Sequence, residues 1–241
     1  MPVFGDLLGT DHEDEAGGGR KESSDLVLVA TSGSHLLITG EPGCGQELLA
    51  RTLHCISLLR GRPLVELESL PEDRRQQRAI IDRASRSTLV ITIGAKTPVM
   101  DAAFVSMVFS PSFNIRVIVI APSASKAEDV LGAPNIRSMR TVFVRPLALR
   151  AEAIPRLLDR LLAERGTILR VADLTPANQT ALQTYAWPGN LTDLQSTADR
   201  LIAIARDGSL LKASKALGVS NSTLHYWFGQ VGMSLPLVEA G

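Results

Sequence analysis

The sequence predicts an α/β protein: a five-stranded parallel sheet covered by helices, followed by an all-helical region. Near-continuous runs of Val, Ile and Leu alternate with helical patterns between residues 26 and 146. Strands without polar alternation are typical of parallel sheets that are buried on both faces. After Pro146 these runs stop, and apolar residues recur at the spacing of helices.

The five predicted strands are residues 35–39, 64–67, 88–93, 116–121 and 141–144. A helix over residues 48–59 should follow the first strand. In the helical region 147–206, Pro155 in a first turn and Gly166 beyond a last turn delimit one helix. Thr175 and Asn190 are the predicted N-caps of the next two helices. Residues 209–233 form a last helical unit.

Charge and composition exclude several classes of protein. The 25 basic and 25 acidic residues balance, but seven acids lie in residues 1–25, which we interpret as an acidic flexible tail that is either solvated or masks a basic surface. Two cysteines cannot build a disulfide framework, and the four histidines have no metal-ligand spacing. No apolar run approaches the ~20 residues that span a bilayer. We therefore expect a cytoplasmic protein without membrane contact or a metal site.

A glycine-rich loop follows the first strand and carries Gly40, Gly43, Gly45, Gln46 and Glu47. Strand, glycine loop and helix is the arrangement that wraps backbone N–H groups around phosphates. A Walker loop places lysine where this chain has Gln46, which carries no charge for the phosphates. We interpret the segment as a vestigial nucleotide loop, with residual nucleotide binding as the alternative.

Residues 209–228 have the spacing of a helix-turn-helix, in which Gly218 forms the turn. In this motif the start of the second helix contacts base edges, while nearby cations contact phosphates. The candidate DNA-binding residues are Arg206, Lys212, Lys215, Ser220, Asn221, Ser222, Thr223, His225 and Tyr226. Because the second helix has no Lys or Arg, one copy should bind weakly and a homodimer is expected. The alternative is a helical pair kept for packing or dimerisation.

Four segments, taken together, resemble one family. GEPGCGQELLARTLH at residues 40–54, PLALRAEAIP at 146–155, WPGN at 187–190 and the helix-turn-helix occur in the order found in the NtrC-like AAA+ activators that act with sigma-54. The resemblance spans about residues 30–233. It implies a bacterial AAA+ core at 26–146, a small α-helical lid domain at 147–206 and a C-terminal Fis-type helix-turn-helix at 207–241.

The resemblance also indicates which residues occupy the family's ATPase positions. Gln46 stands for the Walker lysine, and Thr92 and Ile93 stand for the Walker B aspartate and glutamate. The sensor asparagine falls at Pro122 or Ser123, the sensor arginine at Thr192, and the arginine finger at Arg137 or Arg140. Phosphoryl transfer needs these groups together, so we expect no catalytic residue, no ATPase activity and no cofactor.

The family's sigma-contacting GAFTGA loop has no counterpart, because charged, helix-like residues 73–85 fill its place. We therefore expect a DNA-binding transcription regulator with an ATPase-dead AAA+ domain that binds double-stranded DNA independently of sigma-54. The alternative is a protein-interaction subunit that binds RNA polymerase, a sigma factor or an active AAA+ relative. The salt dependence of duplex binding separates the two hypotheses.

Overall fold

The computed structural model describes residues 27–67, 69, 71, 73–235 and 237–238. The chain divides into two compact units, with the boundary between Arg145 and Pro146. The acidic tail predicted at residues 1–25 lies outside the described residues. Within the described ranges, none of the helices is long and apolar enough to span a bilayer.

The first unit is built on a parallel sheet of five strands. They are β1 (Leu36–Thr39), β2 (Leu64–Leu67), β3 (Thr88–Thr92), β4 (Arg116–Ala121) and β5 (Arg140–Phe143), in the spatial order β2-β3-β4-β1-β5. This confirms the predicted sheet. The fifth strand begins and ends one residue earlier than predicted, although the Val144 N–H still donates to the Thr39 carbonyl at 2.8 Å.

Alternate residues of these strands enter two separate hydrophobic cores. Leu36 and Ile38 belong to one core, while Leu37 of the same strand belongs to the other. All six residues of the central strand β4 are buried. Both faces of the sheet are therefore covered, which is why its strands show no polar alternation.

The α-helices of this unit that follow β1 are α1 (Gln46–Cys55), α2 (Arg74–Ala84), α3 (Ala102–Val108), α4 (Ala124–Leu131) and α5 (Ala133–Arg137). Helix α1 begins two residues before the predicted 48–59 and ends four residues earlier. Ser57 contributes to the early end, because its Oγ donates to the His54 carbonyl at 2.8 Å and competes with a further helical turn.

The second unit is helical and comprises α6 (Ile154–Glu164), α7 (Pro176–Thr184), α8 (Asn190–Asp207), α9 (Leu210–Ala216) and α10 (Asn221–Val231). Pro155 lies in the first turn of α6, and Gly166 follows its end with φ +75°. Thr175 caps α7 by accepting the Asn178 N–H at 3.3 Å. These features agree with the sequence signals.

The N-cap prediction for Asn190 is wrong. Gly189 is the N-cap of α8, and the Asn190 side chain is fully buried. Its Oδ1 accepts the Leu147 backbone N–H at 2.7 Å, so it stabilises the entry into this unit. Asp193 instead satisfies the helix start, because its Oδ2 accepts the Gly189 N–H at 2.7 Å.

The lid, predicted at 147–206, and the helix-turn-helix, predicted at 207–241, share one hydrophobic core. Leu158 of α6 and Trp187 before α8 belong to the same buried cluster as Leu224 and Phe228 of α10. The chain after α10 also folds back onto α7, where the buried Asn178 donates to the Ser234 carbonyl at 2.9 Å and accepts its N–H at 2.8 Å. The helix-turn-helix is therefore an integral part of the unit.

Candidate functional site

The glycine loop after β1 has a backbone that requires glycine. Gly43 and Gly45 adopt φ of +77° and +101°, which side chains with a Cβ rarely adopt. A Cβ on Gly40 would lie 2.7 Å from the Val144 carbonyl oxygen, so a larger residue there would clash with backbone. The loop leads directly into the first turn of α1, as the sequence predicts.

Gln46 folds back onto this loop. Its Nε2 donates to the Glu41 carbonyl at 2.8 Å, and only 8% of the residue is exposed. The same carbonyl accepts the Cys44 backbone N–H at 3.3 Å. The amide at the position of a Walker lysine is therefore neutral, and its hydrogen bond stays within the loop.

Neither residue at the Walker B positions carries a carboxylate. Thr92, the last residue of β3, is exposed and lines a cleft of about 300 Å³. Ile93 is 2% exposed and packs in a core of the first unit. Glu66 also lines the cleft, but it is engaged by Arg51, whose Nε lies 2.8 Å from Glu66 Oε1. Among the described residues, no group of three or more His, Cys, Asp or Glu side chains is placed to hold a metal.

The resemblance places further ATPase residues at positions where this chain has side chains that make other contacts or lack the expected charge. Ser123 caps α4, because its Oγ accepts the Lys126 N–H at 3.1 Å. Arg137 contacts Glu128 at 3.3 Å, whereas Arg140 is exposed on the edge strand β5. Thr192 carries no charge and is exposed in the first turn of α8.

Helix α2 occupies the segment between β2 and β3. Asp73 caps the helix by accepting the Gln76 N–H at 2.8 Å, and Ile81 and Ala84 are buried in the core. Three residues separate the end of α2 from the start of β3. The described part of this segment is thus a packed helix, in agreement with the helical character that the sequence predicts for residues 73–85.

Helices α9 and α10 are joined by a turn of four residues, 217–220, in the segment where the sequence predicts a helix-turn-helix. Gly218 adopts φ +68° in the turn, and Ser220 caps α10 by accepting the Thr223 N–H at 3.0 Å. Leu224 and Phe228, one helical turn apart in α10, are both buried. Trp227 packs under the Arg200 guanidinium, which lies 4.9 Å from its ring centroid. Trp227 is therefore a packing residue.

The charges around this motif differ from the sequence expectation in one respect. Lys212 and Lys215 are exposed, and no acidic residue occurs between Gly208 and Val238. Arg206, however, holds its neighbour Asp207 through two hydrogen bonds of 2.8 and 3.1 Å. Two lysines per copy, rather than three cations, are thus available for phosphate.

The predicted base-contacting residues of α10 are not equally accessible. Ser222, Thr223, His225 and Tyr226 are exposed, and Tyr226 is 69% accessible. Asn221 is half-buried, and its Oδ1 is buried without a hydrogen-bond partner. The side-chain oxygen of Asn221 is therefore not accessible on the outward face of α10.

Two polar contacts that position this motif were missed by sequence reasoning. The hydrogen bonds between Asn178 and Ser234 join residues 56 positions apart, and no local sequence pattern indicates a contact of that separation. The pairing of Arg206 with Asp207 joins adjacent residues, and their opposite charges were a usable signal.

Comparisons with known proteins agree with this architecture. A model of the sigma-54 interaction domain matches residues 19–73, and a model of the AAA+ ATPase lid domain matches residues 148–216. The first match ends where α2 begins. The second includes α9, which is consistent with the core that the lid shares with the helix-turn-helix.

Relatives and a solved structure extend the similarity. The transcriptional regulatory protein ZraR of Klebsiella oxytoca is 28% identical over 220 residues, which cover 75% of this chain and 49% of ZraR. The nitrogen assimilation regulatory protein NtrX of Azorhizobium caulinodans is 26% identical, over 73% of this chain and 47% of NtrX. The chain thus spans about half the length of these curated relatives.

The crystal structure of NtrX from Brucella abortus in complex with ADP has a TM-score of 0.65, at 18% identity over 96% of this chain and 72% of that one. At this identity the likeness shows the fold, which is the AAA+ core with its lid. Together with the two family models and the curated relatives, it shows that this chain is similar to the NtrC-like sigma-54 activators.

Proposed function

We propose that this chain is a transcription regulator that binds double-stranded DNA through α9 and α10. The observation that carries the proposal is a capped helix-turn-helix without acidic side chains. Lys212 and Lys215 are exposed, and residues 208–238 contain no Asp or Glu. Duplex DNA carries a negative charge every ~1.7 Å along its axis, so a surface free of acids can approach it without like-charge repulsion.

The regulator has no ATPase activity. Gln46 supplies no charge, Thr92 supplies no metal-binding carboxylate, and Ile93 is buried in the core, where it cannot orient a water molecule. The Brucella abortus NtrX structure holds ADP, so residual nucleotide binding is the competing expectation for this chain. The hydrogen bond from Gln46 to the Glu41 carbonyl argues against it, because it engages the amide with the loop backbone, and Gln46 has no charge to offer a phosphate.

The regulator acts independently of sigma-54. The helix α2 fills the described part of the segment in which the family's sigma-contacting loop would lie, and its buried Ile81 and Ala84 fix it against the sheet. Promoters that it regulates are therefore read by a different sigma factor.

Two copies bind one site. One copy offers two exposed lysines, and α10 adds no cation. Because phosphate neutralisation supplies most of the affinity, a homodimer that reads two half-sites doubles the contacts. The half-sites would then lie about 34 Å apart, one turn of the duplex.

The test uses the full chain and genomic fragments enriched by it. Deleting residues 209–241 is unsuitable, because it would remove Leu224 and Phe228 from the core of the second unit. Replacing the exposed Ser222 with glutamate places a negative charge on α10 without touching the core. We expect Ser222→Glu to weaken duplex binding at least tenfold in fluorescence anisotropy.

The matched control is Ser112→Glu, which adds the same charge at an exposed position of the first unit. This variant should bind like the wild type. If no fragment is enriched, or if Ser222→Glu binds as tightly as Ser112→Glu, the DNA-binding function is excluded.

A specific surface favours the alternative, a protein-interaction subunit. An open groove of about 850 Å³ on the second unit is lined by charged residues, among them Arg165, Asp173 and Arg206, and by apolar residues that include Ile202 and Ile168, which is 96% exposed. If this groove binds RNA polymerase, a sigma factor or an AAA+ relative, Ile168→Asp should abolish co-purification of that partner. Ile168→Asp should leave duplex binding unchanged if the DNA-binding function is right.

A further inference from the structure

The outward face of α10 has an unusual set of side chains for a helix that contacts DNA. The exposed side chains of this helix are Ser222, Thr223, His225, Tyr226 and Gln230. None of its eleven residues is Lys or Arg. The face therefore has no permanent positive charge.

This composition limits which bases the helix can recognise. In the major groove, guanine is most often read by Arg or Lys through its O6 and N7, adenine by Asn or Gln, and the thymine methyl group by apolar contact. Helix α10 has no Arg or Lys for the guanine contact. The Oδ1 that Asn221 would need for adenine is buried in the protein.

The hydroxyl groups at the start of α10 are already engaged. Ser220 Oγ lies 2.8 Å from Ser222 Oγ and 2.7 Å from Thr223 Oγ1. Because its hydroxyl belongs to this network, Thr223 has its methyl group left for a contact with a base. Tyr226 lies one turn after Ser222 and adds an aromatic ring that is 69% accessible.

We propose that α10 reads thymine methyl groups, with Thr223 and Tyr226 as the specificity-determining residues, so that the half-sites are centred on A·T base pairs. The proposal rests on the proposed DNA-binding function. It assigns the base preference to apolar contacts and the general affinity to Lys212 and Lys215.

The experiment selects sites from random duplexes with the 241-residue chain and then removes single methyl groups from the thymines of those sites. The selected sites should carry A·T pairs at their most constrained positions, and exchange of one such pair for G·C should weaken binding about 5- to 150-fold. Replacing the contacted thymine by deoxyuridine removes only its methyl group. This exchange should weaken wild-type binding about fourfold, the value of one buried methylene.

Substitutions in α10 test which residue contacts the thymine methyl group. Thr223→Ser keeps the hydroxyl that bonds Ser220 and loses the methyl group, so it should no longer distinguish thymine from deoxyuridine at its position. Ser222→Arg should gain acceptance of guanine. Gln230→Arg adds the same charge near the far end of α10 and should raise affinity for all sequences without changing the preference.

The outcomes separate this inference from the function on which it depends. Selection of G·C-centred sites, or equal binding of thymine and deoxyuridine duplexes, overturns the thymine-reading role and leaves the DNA-binding function standing. Failure to select any duplex overturns both.

Discussion

Replacing Lys212 and Lys215 with alanine should remove most of the salt dependence of duplex binding. Each phosphate contact contributes about −0.9 to the slope of log affinity against log salt. Two exposed lysines therefore give about −1.8 per copy and about −3.6 for a dimer, with Arg206 excluded because it holds Asp207. Between about 50 and 200 mM salt, the wild-type affinity should fall roughly 150-fold.

The assay is fluorescence anisotropy with an enriched duplex, titrated at several salt concentrations. Lys96→Ala, at an exposed lysine of the first unit, is the control and should keep the wild-type slope. The double alanine variant should bind more weakly to every sequence, with a slope near zero. A wild-type slope that survives in this variant would refute the assignment of phosphate contacts to α9.

Other predictions concern the loop, the sigma factor and stability. Gln46→Lys should allow weak nucleotide binding by calorimetry but no turnover, since the Walker B positions still lack carboxylates; magnesium-dependent phosphate release by this variant would contradict the account. The wild type should not stimulate open-complex formation by sigma-54 holoenzyme at a sigma-54 promoter, and stimulation with this protein as sole activator would refute sigma-54 independence. Asn178→Ala should lower the free energy of unfolding by about 2–4 kcal/mol in denaturant melts, because it leaves the Ser234 N–H and carbonyl without their partner. An unchanged midpoint would show that these two hydrogen bonds do not stabilise the fold. Burial, and secondarily the charge of Arg116, hold the pKa of His35 below its usual 6.5. The free energy of unfolding should therefore be highest above about pH 6.5 and fall as the pH drops below that value, because the unfolded chain then binds a proton that the folded chain does not. His35→Asn should flatten this decline in denaturant melts.

The sheet could be predicted because each of its strands is recognisable from local sequence alone. Strands buried on both faces, such as β4 with six buried residues, show as uninterrupted apolar runs. The caps at Thr175 and Ser220 were also predictable, because a side chain that accepts a hydrogen bond from three residues ahead depends only on local sequence.

Other contacts were not predictable because they depend on tertiary geometry. The sequence shows that Gln46 has no charge, but only the structure shows its amide bound to the Glu41 carbonyl. Asn190 has the residue type of an N-cap, yet its burial beside Leu147 gives it another backbone group to satisfy. The common core of lid and helix-turn-helix depends on which faces of the helices meet, and spacing along one helix does not specify that.

The most direct test of the central claim is the affinity of the 241-residue chain for an enriched duplex, measured with and without saturating Mg-ATP. The account predicts a specific complex without nucleotide, the same dissociation constant with Mg-ATP, and loss of the complex in Ser222→Glu. A complex that forms only with Mg-ATP, or no complex under either condition, would contradict it.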